Sequence, residues 1–277
     1  MRLAAKQPEV TVAAVSARPF LHSVMSTTHP GGSGLLPQSQ EVGKALRHYY
    51  DVLFERLGPQ QWWPARTRLE VILGAILAQN TAWRNAALAL RRLRKAGLLR
   101  LSRLQQASRS ELEACIRPAG FYRQKALTVR NFLSWLARTC QGSLARLFSR
   151  PPAALRRELL RIRGLGPETV DAILLYAGRH PFFVADAYTR RILARHGLVP
   201  ATAGYAAVQD FLHRHLVADQ ALCNEYHALL VAVGKRFCQR RRPDCQACPL
   251  GDFLPRVPLA EERRPSPAAA WAVTEAV

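Results

Sequence analysis

The residues best suited to chemistry lie in a glycine-rich turn. Gly164 and Gly166 flank Leu165 in a turn where larger side chains would block the close approach of another backbone. Pro167 suits the first position of a new helix, whose first amide groups have no partner inside the helix. These features predict a pocket for an anion. Because the chain holds 40 Lys and Arg against 19 Asp and Glu, a net charge of +21, the natural anion is a nucleic-acid phosphate.

Two acidic residues lie close to this turn. Glu168 falls in the first turn of the helix that Pro167 begins, where the helix dipole stabilises a negative charge. Asp186 follows eighteen residues later, and local sequence alone favours it as the N-cap of a helix over residues 188–196. Each acid therefore has a structural interpretation beside any chemical one.

Polar and aromatic residues near the start of the chain form a second group of candidates. Gln79 opens a polar trio that ends an apolar run, and its structural interpretation is a helix end with either of the next two residues as an N-cap. Trp62 and Trp63 lie side by side in a loop bounded by prolines, and Trp83 follows the polar trio. Core packing is the structural interpretation of these three tryptophans.

Three of the six cysteines form a spaced group near the C-terminus. Cys238, Cys245 and Cys248 follow the pattern Cys-x6-Cys-x2-Cys, with three arginines inside the first interval. The first forty residues show no apolar core followed by a small-residue cleavage site, so they do not resemble a secretion signal. The pattern favours a reducing compartment and a metal site over disulfides.

Apolar periodicity predicts the helices that would position these residues. The predicted spans are 42–57, 69–78, 82–96, 110–116, 121–139, a helix from the proline pair at 151–152 into the glycine turn, a helix after Pro167, 188–196, 202–217 and 220–233. No strand and no internal repeat is evident. The fold class is therefore all-α.

Composition sets further limits. A hydrophobic content of 49% is enough for a sizeable core. The sequence contains no run of some eighteen apolar residues, so it predicts no membrane span. Residues 1–40 and 255–277 lack periodicity, so we expect a disordered N-terminal extension and a disordered C-terminal tail. Met1 and Met25 both remain open as the translation start.

Residues 42–250 resemble the endonuclease III superfamily of DNA glycosylases. The resemblance rests on the glycine turn, on Asp186 eighteen residues beyond Glu168, on the polar trio that Gln79 opens and on the spaced cysteines. This resemblance implies a two-lobed helix-hairpin-helix fold over residues 41–254, with a DNA-binding cleft between the lobes. It implies double-stranded DNA with damaged bases as the partner, and Asp186 as the catalytic aspartate. The implied DNA-binding residues are Gln79, Gly164, Leu165, Gly166 and Thr169.

Glu168 is an informative departure from that pattern, because bifunctional members carry a lysine whose amine attacks the sugar and then cleaves the strand. A carboxylate cannot form that imine, so the resemblance implies a monofunctional glycosylase. The motifs at 62–64, 79–83 and 171–177 are similar to the 3-methyladenine DNA glycosylase III branch. This implies removal of alkylated purines such as 3-methyladenine, with Glu168 in the base pocket. It also implies that Trp83 and one of Trp62 and Trp63 stack on the two faces of a cationic base.

The resemblance also bears on a cofactor. Cys238, Cys245 and Cys248 match the first three ligands of the superfamily's [4Fe–4S] loop, but Leu254 stands at the fourth position. A cluster, a zinc ion and a metal-free loop all remain open.

Two other functions remain as alternatives. One is an endonuclease III-type glycosylase and AP lyase acting on oxidised pyrimidines, which Glu168 opposes. The other is a non-catalytic DNA-binding protein, which Asp186 opposes. In each case we expect a cytoplasmic, nucleoid-associated monomer with no membrane partner.

Overall fold

The structure, a computed structural model, describes residues 35–60, 62–63 and 65–255, and these residues form helices and loops without a β-strand. The α-helices, in chain order, are α1 (Leu35–Leu57), α2 (Arg68–Leu77), α3 (Trp83–Lys95), α4 (Leu101–Gln106), α5 (Arg109–Ile116), α6 (Tyr122–Cys140), α7 (Leu144–Phe148), α8 (Pro152–Leu159), α9 (Pro167–Ala172), α10 (Ala187–Arg195), α11 (Tyr205–His215) and α12 (Gln220–Arg236). Short 3-10 turns cover Arg117–Ala119 and Gly251–Phe253, and a π-helical turn, Ile173–Ala177, continues α9. The prediction of an all-α fold is confirmed.

Helix α2 forms the centre of the core. It begins at Thr67, whose hydroxyl accepts a hydrogen bond from the Glu70 amide at 3.2 Å, and every residue from 69 to 77 is buried. The Glu70 carboxylate lies inside this core, where it pairs with Arg94 of α3 and accepts the Arg66 amide at 2.9 Å. Each fully buried large apolar side chain contributes about 1.5–3 kcal/mol, so this helix is a main source of stability.

The helices pack in two groups that meet at α9 and at the π turn that continues it. Helices α2, α3, α5 and α6 form one group, and α1, α10, α11 and α12 form the other. Helix α9 contacts α2 and α11, while the π turn contacts α2 and α12. The middle of the chain thus forms one lobe, and the N-terminal helix forms the other with the C-terminal segment, as predicted.

A buried ionic network connects the two helices of the hairpin to the second lobe. Asp171 of α9 is fully buried, and Arg156 of α8 donates to its two oxygens at 2.6 and 2.9 Å. Tyr205 and Gln209 of α11 each donate to the same carboxylate at 2.8 Å. Because these donors satisfy the buried charge, losing one partner would cost far more than a surface ion pair does.

Several predicted boundaries differ from the structure. Helix α1 begins at Leu35, so the domain start predicted at residue 41 falls inside a helix. Helices α4 and α7 were not predicted, and α11 begins after Gly204 rather than at residue 202. Residues 1–34 and 256–277, where disorder was predicted, lie outside the described residues. Within the described residues, no helix is both long and apolar enough to span a bilayer.

Candidate active site and DNA-binding turns

Asp186 lies at the start of α10, where the two lobes meet. Its Oδ1 accepts a hydrogen bond from the Thr189 amide at 2.8 Å, so it is the N-cap that local sequence predicted. Only 8% of the residue is exposed. A carboxylate that is fixed at a helix start and shielded from water is suited to stabilising a nearby positive charge.

The environment of Asp186 favours its charged form. Burial by itself would raise the pKa of Asp186, but the neighbouring His227 and the amide of Thr189 hold that pKa below its usual value. The Oδ2 atom faces Nε2 of His227 at 3.6 Å. Asp186 is therefore an anion at neutral pH although it is almost completely buried.

His227 was not identified from the sequence. It lies in the apolar stretch of α12, where a single histidine gives no signal of function. Its Nδ1 is hydrogen-bonded to the Tyr176 hydroxyl, and Tyr176 belongs to the π turn that continues α9. A π turn inside a helix is often found at a functional site. The structure thus joins Asp186, His227 and Tyr176 across three segments of the chain.

Glu168 lies in the first turn of α9, and its side chain is exposed at the edge of this group. Neighbouring atoms still partly desolvate its carboxyl group. This desolvation and the negative charge of Asp186 raise the pKa of Glu168. His227 and Arg190 oppose the shift. The position predicted to replace the family's lysine therefore lies within electrostatic range of Asp186.

The tryptophans form a connected aromatic surface rather than two separate walls. Trp63 stacks on Tyr176 with ring centroids 4.9 Å apart and an angle of 24°. Trp83 contacts Trp63 edge to face at 5.2 Å. Trp62 lies edge to face with His227, with ring centroids 6.3 Å apart, and the Lys235 Nζ lies 5.1 Å from the Trp62 ring centroid. This direct contact leaves no room for a base between Trp63 and Trp83 in this conformation, and the alternative pairing of Trp83 with Trp62 stays a prediction.

The loop that carries these rings is under constraint. Trp63 has a φ of +70°, a left-handed conformation that is rare for a bulky residue. The indole nitrogens of Trp62 and Trp63 are buried and have no hydrogen-bond partner among the described residues. Unpaired buried donors are costly, and they cluster where a ligand could accept from them.

Gln79 is held by the glycine turn. Its Nε2 donates to the Gly164 carbonyl at 3.0 Å and to the Thr169 hydroxyl at 2.8 Å. The predicted N-cap role for the residues after Gln79 is wrong, because α3 begins after Ala82 without a side-chain cap. Asn80 is instead exposed, with a φ of +50°. The polar trio forms a sharp turn beside the hairpin.

Helix α6 packs against the glycine turn and holds its backbone in place. Gly164 has a φ of +99°, and a Cβ there would lie 2.1 Å from the Thr128 hydroxyl oxygen. Asn131, one turn further along α6, donates to the Arg163 carbonyl at 3.0 Å. A Cβ on Gly166 would meet nothing within 4 Å, so its backbone is open to an outside group. The Leu165 side chain is buried, so only its backbone is available to an outside group.

The same helix connects the glycine turn to a further exposed residue. Lys125 is buried, and its Nζ donates to the carbonyls of Leu77 and Ala119 at 2.9 and 2.7 Å. It thereby ties the end of α2 to the turn that holds Phe121. Phe121 is 73% exposed and has a φ of +46°. An exposed aromatic held in a strained turn is a candidate contact residue, and Phe121 was not predicted as one from the sequence.

The predicted cysteine ligands border one small cavity. Cys238, Cys245 and Cys248 line about 10 Å³ of space, roughly enough for one water molecule. Arg195 donates to the Cys238 sulfur at 2.8 Å, and Leu254 supplies no fourth thiolate. No group of three or more His, Cys, Asp or Glu side chains in the described ranges is placed to hold a metal. These residues, as placed, do not fit an iron–sulfur cluster that is held by four cysteines. No step of the proposed reaction involves such a cluster.

Comparison with known proteins agrees with this arrangement. The sequence profile of the HhH-GPD superfamily base excision DNA repair proteins matches residues 73–216, about half of the chain. A protein of Methanocaldococcus jannaschii, named provisionally as a DNA repair glycosylase, is 39% identical over 206 residues, which are 74% of this chain and 93% of that protein. Endonuclease III of Sulfolobus acidocaldarius is 27% identical over 68% of this chain and 82% of its own length.

Solved structures give the same result. The H. pylori 3-methyladenine DNA glycosylase bound to 1,N6-ethenoadenine superposes with a TM-score of 0.60 at 27% identity, covering 72% of this chain and 97% of that one. An endonuclease III–DNA complex superposes with a TM-score of 0.66 at 20% identity, covering 76% and 94%, which supports the fold. The chain therefore belongs to the HhH-GPD superfamily of base excision DNA repair proteins and is a DNA glycosylase.

Proposed function

We propose that this glycosylase is monofunctional and that it removes alkylated purines such as 3-methyladenine from double-stranded DNA by hydrolysis. The observation that carries the proposal is the buried, charged Asp186 carboxylate, joined through His227 to an aromatic surface made by Tyr176, Trp63 and Trp83. The similarity to the H. pylori 3-methyladenine glycosylase over nearly all of that protein favours the alkylated-purine branch.

The proposed reaction begins when the damaged nucleotide leaves the stack. The bond between C1′ and the base nitrogen then breaks, and its electron pair leaves with the base. Positive charge develops on the sugar, and the fixed Asp186 carboxylate stabilises that charge. A water oxygen bonds to C1′ and loses a proton to solvent, which leaves an abasic sugar.

The chemistry of the leaving group explains the proposed recognition. An N3-methylated adenine in DNA is a delocalised cation and already a good leaving group, so little acid catalysis is needed. Selectivity comes from the grip on the base, and electron-rich indole and phenol rings attract a cation, by about 0.5–2 kcal/mol in each contact. The exposed Glu168 carboxylate adds negative charge to the same edge of the site.

We propose that the glycine turn, Gln79 and Phe121 form the DNA-binding surface. Gly164 and Gly166 let phosphate approach the backbone, and the net charge of +21 strengthens any contact with DNA. Gln79 is well placed to leave its contacts with Gly164 and Thr169 when the duplex is bound. The domain would run from the start of α1 to residue 254 and act as a monomer.

A panel of lesion-bearing duplexes tests the proposal. The purified protein is incubated with duplexes that contain either alkylated purines or oxidised pyrimidines, the released base is identified, and strand cleavage is measured with and without alkali. We expect free alkylated purine, strand breaks only after alkali, and no covalent complex trapped by borohydride. Endonuclease III is the control for trapping. Release of oxidised pyrimidine with a trapped adduct would support the endonuclease III-type function instead.

A further inference from the structure

The second carboxylate oxygen of Asp186 faces a histidine nitrogen that has no hydrogen-bond partner among the described residues. Oδ1 is occupied by the Thr189 amide, but Oδ2 points at the His227 Nε2 atom, 3.6 Å away. His227 is 5% exposed, and its Nε2 has no hydrogen-bond partner among the described residues. Two buried polar atoms that face each other are costly unless they interact.

A hydrogen bond fixes the opposite edge of the His227 imidazole ring. Nδ1 of His227 is hydrogen-bonded to the Tyr176 hydroxyl. Burial and the negative charge of Asp186 raise the pKa of Tyr176 well above its usual value, so the hydroxyl keeps its proton and can donate it to Nδ1. An imidazole that accepts at Nδ1 carries its own proton on Nε2, which then points at Asp186.

We propose that His227 is a positioning residue for the reaction: the Tyr176 hydroxyl fixes the His227 ring with a proton on Nε2, and this N–H holds the Asp186 carboxylate toward the sugar. The inference rests on the proposed function, because Asp186 is the group it positions. Catalytic hydrogen bonds are often long in a protein without substrate and shorten when substrate binds, which accounts for the 3.6 Å separation.

The arrangement also links base binding to the carboxylate. Tyr176 stacks on Trp63, the ring at the centre of the aromatic surface. A base that settles against these rings restrains Tyr176, and through its hydroxyl it restrains His227. The bond to be broken and the charge that stabilises the break are thus aligned by one connected set of side chains.

Two conservative variants separate this role from simple packing. Tyr176→Phe keeps the stacked ring and removes only the hydroxyl. His227→Gln keeps an amide N–H that can reach Asp186 and removes the imidazole, whereas His227→Leu removes the donor altogether. We expect the single-turnover rate of base release to fall about five- to ten-fold in Tyr176→Phe, by the loss of one hydrogen bond. His227→Leu should fall further, and His227→Gln should recover part of that loss.

Three measurements accompany these rates. The dissociation constant for lesion duplex should stay within about two-fold of wild type, since base release and not binding is affected. Melting temperatures identify any variant that fails to fold. In the double variant, Tyr176→Phe should add nothing to His227→Gln, because the hydroxyl acts only through the imidazole. An equal loss from Tyr176→Phe in both backgrounds would mean that the hydroxyl touches the base directly, and would overturn the proposal.

Imidazole 15N NMR of the free protein provides a test that does not depend on activity. The His227 signals are identified by their loss in His227→Gln. We expect a protonated Nε2 that shifts in Asp186→Asn, and a change in the Nδ1 signal in Tyr176→Phe. An unprotonated Nε2, or a spectrum unaffected by Asp186→Asn, would overturn the proposal. If the wild type releases no base from any duplex, the proposed function fails, and the NMR result still decides whether His227 holds Asp186.

Discussion

Asp186 has two roles that a single substitution can separate. Asparagine is as good an N-cap as aspartate, so Asp186→Asn should preserve the contact with the Thr189 amide and the start of α10. It removes the negative charge that stabilises the sugar cation. We expect base release to fall about 100-fold or more, with duplex binding unchanged or tighter because a charge that repels phosphate is gone.

Single-turnover kinetics and a binding titration on the same lesion duplex check this prediction. Asp186→Ala is the matched control, since it loses both the cap and the charge and should also lower the melting temperature. Full activity in the asparagine variant would remove Asp186 from the chemistry.

Trp83 provides a second prediction at the scale of the residue. It is only partly buried and meets Trp63 edge to face, so Trp83→Leu should keep apolar bulk and lose the electron-rich ring. Release of 3-methyladenine should fall about ten-fold, from about 1–2 kcal/mol of cation–π interaction. Neutral lesions should lose less.

Rates on charged and neutral lesions are compared in the same preparation, beside a melting curve. An equal loss on both with unchanged melting would exclude a cation-selective site. A large drop in melting temperature would return Trp83 to a purely structural role.

Some of the site was predictable at this scale and some was not. The N-cap role of Asp186 follows from its own residue type and the helix after it. His227 is 41 positions from Asp186, and no local pattern connects the two. The contact between Trp63 and Trp83 could not be predicted, because the sequence specifies only that both residues are aromatic, and the angle between the rings depends on the strained loop at Trp63.

Among the elements, the hairpin allows a matched pair of glycine substitutions. Gly164→Ala places a Cβ against Thr128 at a φ of +99°, and we expect it to lower the free energy of unfolding by about 2–4 kcal/mol. Gly166→Ala meets nothing in the protein, so it should fold normally. It should weaken duplex binding instead, because the new methyl group would stand where we propose that a phosphate binds.

Chemical denaturation and a binding titration separate the two effects. If both variants lost only stability, or if Gly166→Ala bound DNA as wild type does, the hairpin would not be a phosphate contact of the kind proposed.

The cysteine loop is a second element with a direct test. The loop holds three thiols around a space of about 10 Å³, and Leu250 is completely buried beneath it. If the predicted [4Fe–4S] cluster is held by these three thiols, anaerobically purified protein should be brown with bound iron and sulfide, and Cys245→Ser should lose both. Elemental analysis decides this, and protein without iron or zinc would leave packing and Arg195 as the means of holding the loop.

Prediction from sequence was strongest for long amphipathic helices. The face of α6 gave a periodic signal, because one side of that helix must meet the core, whereas α2 was indicated by a nearly continuous apolar run that is buried on all sides. Helices α4 and α7 were missed because six and five residues are too few to show periodicity. The early start of α1 was also missed, since residues before 41 carry no clear apolar face.

At the scale of the molecule, His196 connects the N-terminal helix to the cysteine loop. Its Nδ1 meets the Tyr49 hydroxyl at 3.0 Å, and burial lowers the pKa of His196 to about 4. The unfolded chain takes up this proton near pH 6.5, but the folded protein does so only near pH 4. The contribution to stability is therefore complete above about pH 6.5 and falls as the pH decreases toward 4, by up to about 3 kcal/mol.

Denaturant unfolding at several pH values measures this effect, and His196→Gln is the control because it cannot titrate. As the pH falls from about 6.5 to about 4, the free energy of unfolding of the wild type should decrease more than that of His196→Gln. Parallel curves would show that His196 is not buried in neutral form.

The π turn at Ile173–Ala177 has a consequence for how this enzyme can change during evolution. A residue in an α-helix turns the chain by about 100°, and a π turn accommodates one additional residue. Deleting Leu175 would allow ordinary helical bonding and would rotate Tyr176 away from both Trp63 and His227, although every chemical group of the site would still be present. The catalytic arrangement is thus encoded in the number of residues between two points as well as in their identities, and a one-residue deletion here would be harder to tolerate than most substitutions.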